Sequence, residues 1–123
     1  MTYFSDEIYD QGLDWATAKG TRVDICHTAE PTTYTEATST NSCANKTGLV
    51  TGAAQDGAID GRRVTIPAIT DGTITSTATG GWWALSDGVS AFVASNSVTA
   101  SQVMTVGNPF TLDAISLTIR DAA

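Results

Sequence analysis

Four Asp-Gly pairs, Asp56-Gly57, Asp60-Gly61, Asp71-Gly72 and Asp87-Gly88, cut the second half of this chain into short segments. Asp-Gly supplies the positive φ angles of two-residue hairpin turns, so each pair marks a place where the chain can reverse. The segments between them alternate apolar and polar residues, the period of a half-buried strand. Short strands with closely spaced turn signals favour an antiparallel sheet packed on another over a βαβ fold.

The run "RRVTIPAITDGTITSTAT" reads as a hairpin about Asp71-Gly72, with Val64, Ile66 and Ala68 on one face and Ile69 opposite Ile74. Pro67 pushes its first strand toward a sheet edge or a bulge. "GGWWALSDGVSAFVAS" reads as the next hairpin. A two-residue turn at Asp87-Gly88 sets Ala84 opposite Ala91, Trp83 opposite Phe92 and Trp82 opposite Val93. Adjacent strand residues face opposite ways, so only one of the two indoles can enter a given core. Trp83, Leu85 and Phe92 form the heavier, core face. Trp82 is left on a shallow patch with Ala84, Ala91 and Val93, to be covered by another chain or by another layer of its own fold. In the closing segment Phe110 and Leu112 share one parity, and Ile115, Leu117 and Ile119 the other; a bulge near Asp113-Ala114 would bring both to one face.

Toward the N-terminus, Phe4, Ile8, Tyr9, Leu13 and Ala16 recur at helical spacing. Residues 4–19 are therefore predicted as a helix, with Ser5 as N-cap and Gly20 as a left-handed C-cap. "TRVDICH" alternates Arg22, Asp24 and Cys26 with Val23, Ile25 and His27, a half-buried strand. Residues 28–46 hold few large apolar side chains and read as an extended loop or arm, a length that calls for a job such as reaching a neighbouring subunit. The expectation for residues 1–123 is one mainly β domain: an antiparallel β-sandwich or jelly-roll-like fold of seven or eight strands, with one N-terminal helix and a β-rich core over 48–121.

Six Lys and Arg against thirteen Asp and Glu give a net charge of -7, which disfavours phosphate backbones and anionic bilayers. No apolar run approaches the roughly 20 residues of a membrane span, and the acidic start is unlike a secretory signal. Synthesis in a cytoplasm is expected. Only 15% of residues are charged, and short neutral side chains lose little entropy when another protein covers them.

Chemistry has few footholds. His27 is the single histidine, and it lies on the apolar parity of its strand; no nucleophile elbow, phosphate-cradling loop or zinc-protease helix accompanies it. Cys26, His27 and Cys43 lack the spacing of a zinc site, and the two cysteines read as unconnected thiols. Asp56 and Asp60 flank Gly57 at a spacing that could offer oxygens to Ca²⁺, but turn chemistry accounts for both. Trp82, Trp83, Tyr34 and Tyr3 could stack on sugars. The reading is of a non-enzyme with no cofactor and no metal site.

The segments "TRVDICHTAEPTTYTEATSTNSCANKTGL", "DGRRVTIPAITDG", "WWALSDG" and "GNPFTLDAISLTI" together resemble small structural proteins of tailed bacteriophages and prophages: capsid decorations, head spikes or fibres, and tail accessories. The resemblance implies a virion protein made in the host bacterial cytoplasm, with itself and other capsid or tail subunits as partners. No functional residues transfer with it. The candidate interface residues are Trp82, Trp83, Phe92, Tyr34, Phe4 and Ile8. The alternative is a host-glycan-binding module of a tail fibre or spike.

Overall fold

The computed structural model describes residues 6–57, 59 and 61–119. They form helix α1 (Asp6–Lys19) and nine strands: β1 (Arg22–Cys26), β2 (Ser42–Lys46), β3 (Gln55–Asp56), β4 (Arg62–Ile66), β5 (Ile69–Ile74), β6 (Ala78–Ser86), β7 (Phe92–Met104), β8 (Pro109–Leu112) and β9 (Ile115–Ile119). A short helical segment, Glu36–Thr40, lies between β1 and β2. The architecture is a β-sandwich. One sheet has six strands in the order β7-β6-β1-β2-β5-β8, the other three in the order β3-β4-β9, and all pairings are antiparallel.

Two expected features of the sequence resolve into one device. β4 and β5 do not pair as a hairpin; Pro67 and Ala68 carry the chain from the small sheet to the large one. Asp113 and Ala114 return it from β8 to β9 in the same way. Ile66 pairs with Ile115 before the corner and Ile69 with Leu112 after it, so one antiparallel ribbon turns the corner between the sheets in register and shifts only beyond it, between Ile69 and Gly72. This bend replaces the bulge expected near Asp113-Ala114. Phe110 and Leu112 face Ile115 and Leu117 from opposite sheets, and all four join one core. Proline suits the corner because no ladder N–H is needed there.

Asp71-Gly72 is accordingly not a turn but the middle of β5. Gly72 pairs with Phe110, and a Cβ there would overlap the Phe110 ring. The glycine is required by close approach rather than by chain reversal.

The main core gathers Val23, Ile25, Ala44, Ile74, Trp83 and Leu85 from the large sheet against Ile66 of the small one. Val64, two residues from Ile66 and on the same face, meets Leu13 and Ala16 of α1. The helix thus packs on the small sheet through Leu13 and Ala16, the described part of its expected apolar stripe. Gly20 follows α1 without the left-handed φ of a C-cap. A Cβ at Gly20 would stand 2.7 Å from Ala16 O and 2.9 Å from both Leu85 Cδ2 and Thr51 Oγ1, so crowding selects glycine at this position.

The β6–β7 connection is longer than two residues. The Asp87 carboxylate accepts the backbone N–H groups of Val89, Ser90 and Ala91 at 2.8, 2.9 and 2.9 Å, and pairing resumes only at Ser86 with Phe92. Those donors, Val89 first, hold its carboxyl down at about 2. The register differs from expectation: Trp82 pairs with Ser97, Trp83 with Asn96 and Ala84 with Ser95. Trp83 and Leu85 face the main core as expected. Phe92 does not; it lies on the opposite face, with Trp82.

Candidate functional site

Residues 28–46, expected as an extended arm, do not reach away from the domain: residues 28–41 fold back over the outer face of the large sheet, and Ser42–Lys46 form β2 within it. Ala37 is wholly buried against Cys26 and Ala84, with Trp82 and Phe92 packed at the margin. Ser95 Oγ donates to Pro31 O at 3.0 Å, Asn41 Nδ2 to Ala29 O at 3.2 Å, and His27 N to Asn41 O at 2.9 Å. Glu36 accepts from Thr32 N at 2.9 Å and Thr32 Oγ1 at 3.1 Å, contacts that lower its carboxyl below the usual range. The helical turns that follow are widened, with Asn41 N reaching back to Glu36 O. Trp82 is therefore half-buried by a layer of its own chain.

Beneath this layer lies a polar cluster on the parity expected to face solvent. Asp24 is fully buried and accepts Arg22 Nε at 2.7 Å, Arg22 Nη2 at 2.8 Å and Ser42 Oγ at 2.7 Å. A bidentate guanidinium and a hydroxyl satisfy the carboxylate, the condition under which a buried charge is tolerated. The bond to Asp24 in turn raises the Arg22 pKa. β1 is thus buried on both faces from Val23 to Cys26 rather than on one.

Neither cysteine is an activated nucleophile. Cys26 and Cys43 are both buried and unpaired, one under the outer layer and one in the main core. Burial, then Asp24 and Cys43, push the Cys26 thiol up to about 12, and burial also raises Cys43. Thiols so protonated are inert at neutral pH. His27 is part-exposed and bonds through Nδ1 to its neighbour Thr28 Oγ1. Among the described residues no three metal-ligating side chains converge. Asp56 is paired with Arg62 at 2.8 Å, while Asp60, Ser5, Tyr3 and the candidate interface residue Phe4 lie outside the described residues, as does the side chain of Ile8.

Two surface features remain. The first is a run without charge: residues 89–112, covering part of the β6–β7 loop, all of β7 and β8 and the turn between, contain no Asp, Glu, Lys, Arg or His. β7 is the outermost strand of its sheet, and Val89, Val103 and Val106 stand exposed in this run.

The second is a groove of about 280 Å³ over Trp83. Between Gly80 and Trp82 of β6, β7 advances from Gln102 to Ser97, so residues 98–101 bulge outward opposite Gly81. Val98, Ala100 and Gln102 form one wall and Thr111 to Ile115, at the ribbon's second corner, the other. Since β7 and β8 are the two ends of the six-stranded sheet, the groove lies where that sheet curls toward closure. Sequence reasoning singled out Trp83 but missed Gln102, Thr111 and Asp113, which are brought to it by a bulge and a crossover that have no short-range signature. Trp15, half-exposed on α1, was also missed.

Comparison with protein-family models, with curated proteins and with solved structures found no match to this chain.

Proposed function

We propose that this chain is a non-enzymatic structural protein of a bacteriophage virion, packing as an oligomer on the capsid surface or at a head or tail vertex. The observation that carries the reading is the uncharged surface of residues 89–112 on a chain of net charge -7. Exposed edge strands are ordinarily guarded by Lys, Pro or inward charge. β7 has bulges but no charge and no proline, and Val103 within it is 76% exposed. Such a strip is suited to an interface core, where charge is depleted, and it is where an acidic protein can approach its own copies with least repulsion. The resemblance to phage structural proteins supplies the setting. Trp82 adds less support than its sequence position suggests, because its own chain covers it in part.

The test is the composition of particles. Mass spectrometry of purified virions from a phage encoding this chain is expected to find it in many copies. Val103→Lys is expected to lower that copy number without lowering the melting temperature of the isolated protein. Absence of the chain from purified particles overturns the reading.

A further inference from the structure

We infer that the groove over Trp83 is a binding site for a neutral polyhydroxylated ligand the size of one sugar ring. The inference is independent of where the protein resides in a particle. Trp83 is 7% exposed and lines the groove. Among the described residues the Trp83 side chain has no hydrogen-bond partner, and Arg63 Nε is the one unpaired side-chain nitrogen or oxygen sealed from solvent. The indole N–H is therefore a donor in a nearly buried side chain, without a partner in the protein but still reachable from outside. Buried tryptophans usually satisfy that group.

The surroundings define the partner. Gln102 offers both donors and an acceptor, Thr111 a hydroxyl and Asp113 acceptors, while Val98, Leu112 and Ala114 give an apolar flank. An anion is disfavoured by Asp113 and by the net charge of -7. For a cation the lining offers one carboxylate, Asp113, at an exposed position where solvent screens it, and no second charge. What fits is a neutral molecule carrying donors and acceptors around an apolar C–H surface, which describes a pyranose. The volume of about 280 Å³ falls just below the range of drug-sized sites, roughly 300–1,000 Å³, and suits one ring rather than a chain of them.

The experiment uses the full chain labelled with ¹⁵N and titrated separately with glucose, galactose, mannose, rhamnose and N-acetylglucosamine up to about 100 mM. The Trp83 indole resonance is assigned by its loss in Trp83→Phe or, should that variant fold poorly, by elimination using Trp15→Phe and Trp82→Phe. At least one sugar is expected to shift it saturably with a midpoint of about 10 mM, as befits a small ligand with few contacts. Gln102→Ala and Asp113→Ala, both at exposed positions, are each expected to raise that midpoint about tenfold with the melting temperature unchanged. The inference is overturned if no sugar moves the Trp83 resonance, if Trp15 or Trp82 responds while Trp83 does not, or if the shift survives both substitutions. Failure here leaves the particle-composition test unaffected, and a chain absent from particles could still pass this one.

Discussion

The two faces of the six-stranded sheet are both closed to solvent along β1, yet by different means. The inner face is sealed by apolar side chains of a second sheet, with Ile66, Ile115 and Leu117 set against Val23, Ile25, Trp83 and Leu85. The outer face is sealed by a loop, residues 28–41, with a small apolar patch of Cys26, Ala37 and Ala84 and a buried carboxylate held by Arg22 and Ser42. The first closure is non-directional and scales with area, whereas the second depends on a few directed bonds. An inner-face defect should therefore loosen the whole domain, and an outer-face defect should first loosen the loop.

The largest expected effect tests the inner face. Leu85 is fully buried, and Leu85→Ala should cost about 4 kcal/mol through lost burial and a residual cavity, read as a lower midpoint of one cooperative urea transition. Two separated transitions would break the comparison, because the inner core would then not be the unit that unfolds.

Next in size is the outer polar cluster. Asp24→Ala removes the acceptor of three hydrogen bonds and strands the Arg22 charge, which is 20% exposed, so a loss of about 3 kcal/mol is expected. Replacing both partners, Arg22→Leu with Asp24→Leu, should return stability to within about 1.5 kcal/mol of the native chain, since Ser42 keeps a bond to Ala44 O. If the single and double variants are equally destabilised in urea melts, the cluster acts through packing alone and the contrast between the faces narrows.

The same contrast explains what could be read in advance. The mainly β class, α1 and the inward placement of Trp83 follow from periodicity, because an apolar face must find a partner. Phe92 was misplaced because the Asp87 carboxylate gathers three N–H groups and lengthens the turn, a choice between loop geometries that Asp-Gly alone leaves open. Asp71-Gly72 misled for a different reason: the glycine answers to Phe110, which lies 38 positions along the chain. Residues 28–46 read as an arm because residues 28–41 seal the sheet with bonds from Thr, Ser, Asn and Glu, residue types that equally describe a solvated loop, and β2 adds only Cys43 and Ala44 as apolar side chains. The groove was invisible apart from Trp83, since a bulge in β7 and a corner in the ribbon meet only after the sheet curls.

The smallest effect is kinetic, and the two cysteines report one face each. Cys26 lies beneath the outer loop, where its thiol donates to Ala37 O at 3.5 Å; Cys43 lies in the main core and donates to Ile25 O at 3.4 Å. In the closed state a thiol pushed up to about 12 offers almost no thiolate at pH 8, so Cys26 can react only when the loop lifts and restores its ordinary acidity. Loop lifting breaks few bonds and exposes little apolar area, and it should cost less than global unfolding. In Cys43→Ala, the remaining Cys26 is therefore expected to label with a disulfide reagent at least about tenfold faster than Cys43 does in Cys26→Ala, with a weaker dependence on urea. The slower group should track the urea sensitivity of the whole domain. Equal rates with equal urea dependence would mean that the loop opens only when the sandwich does, making the outer closure as cooperative as the inner one despite its different chemistry.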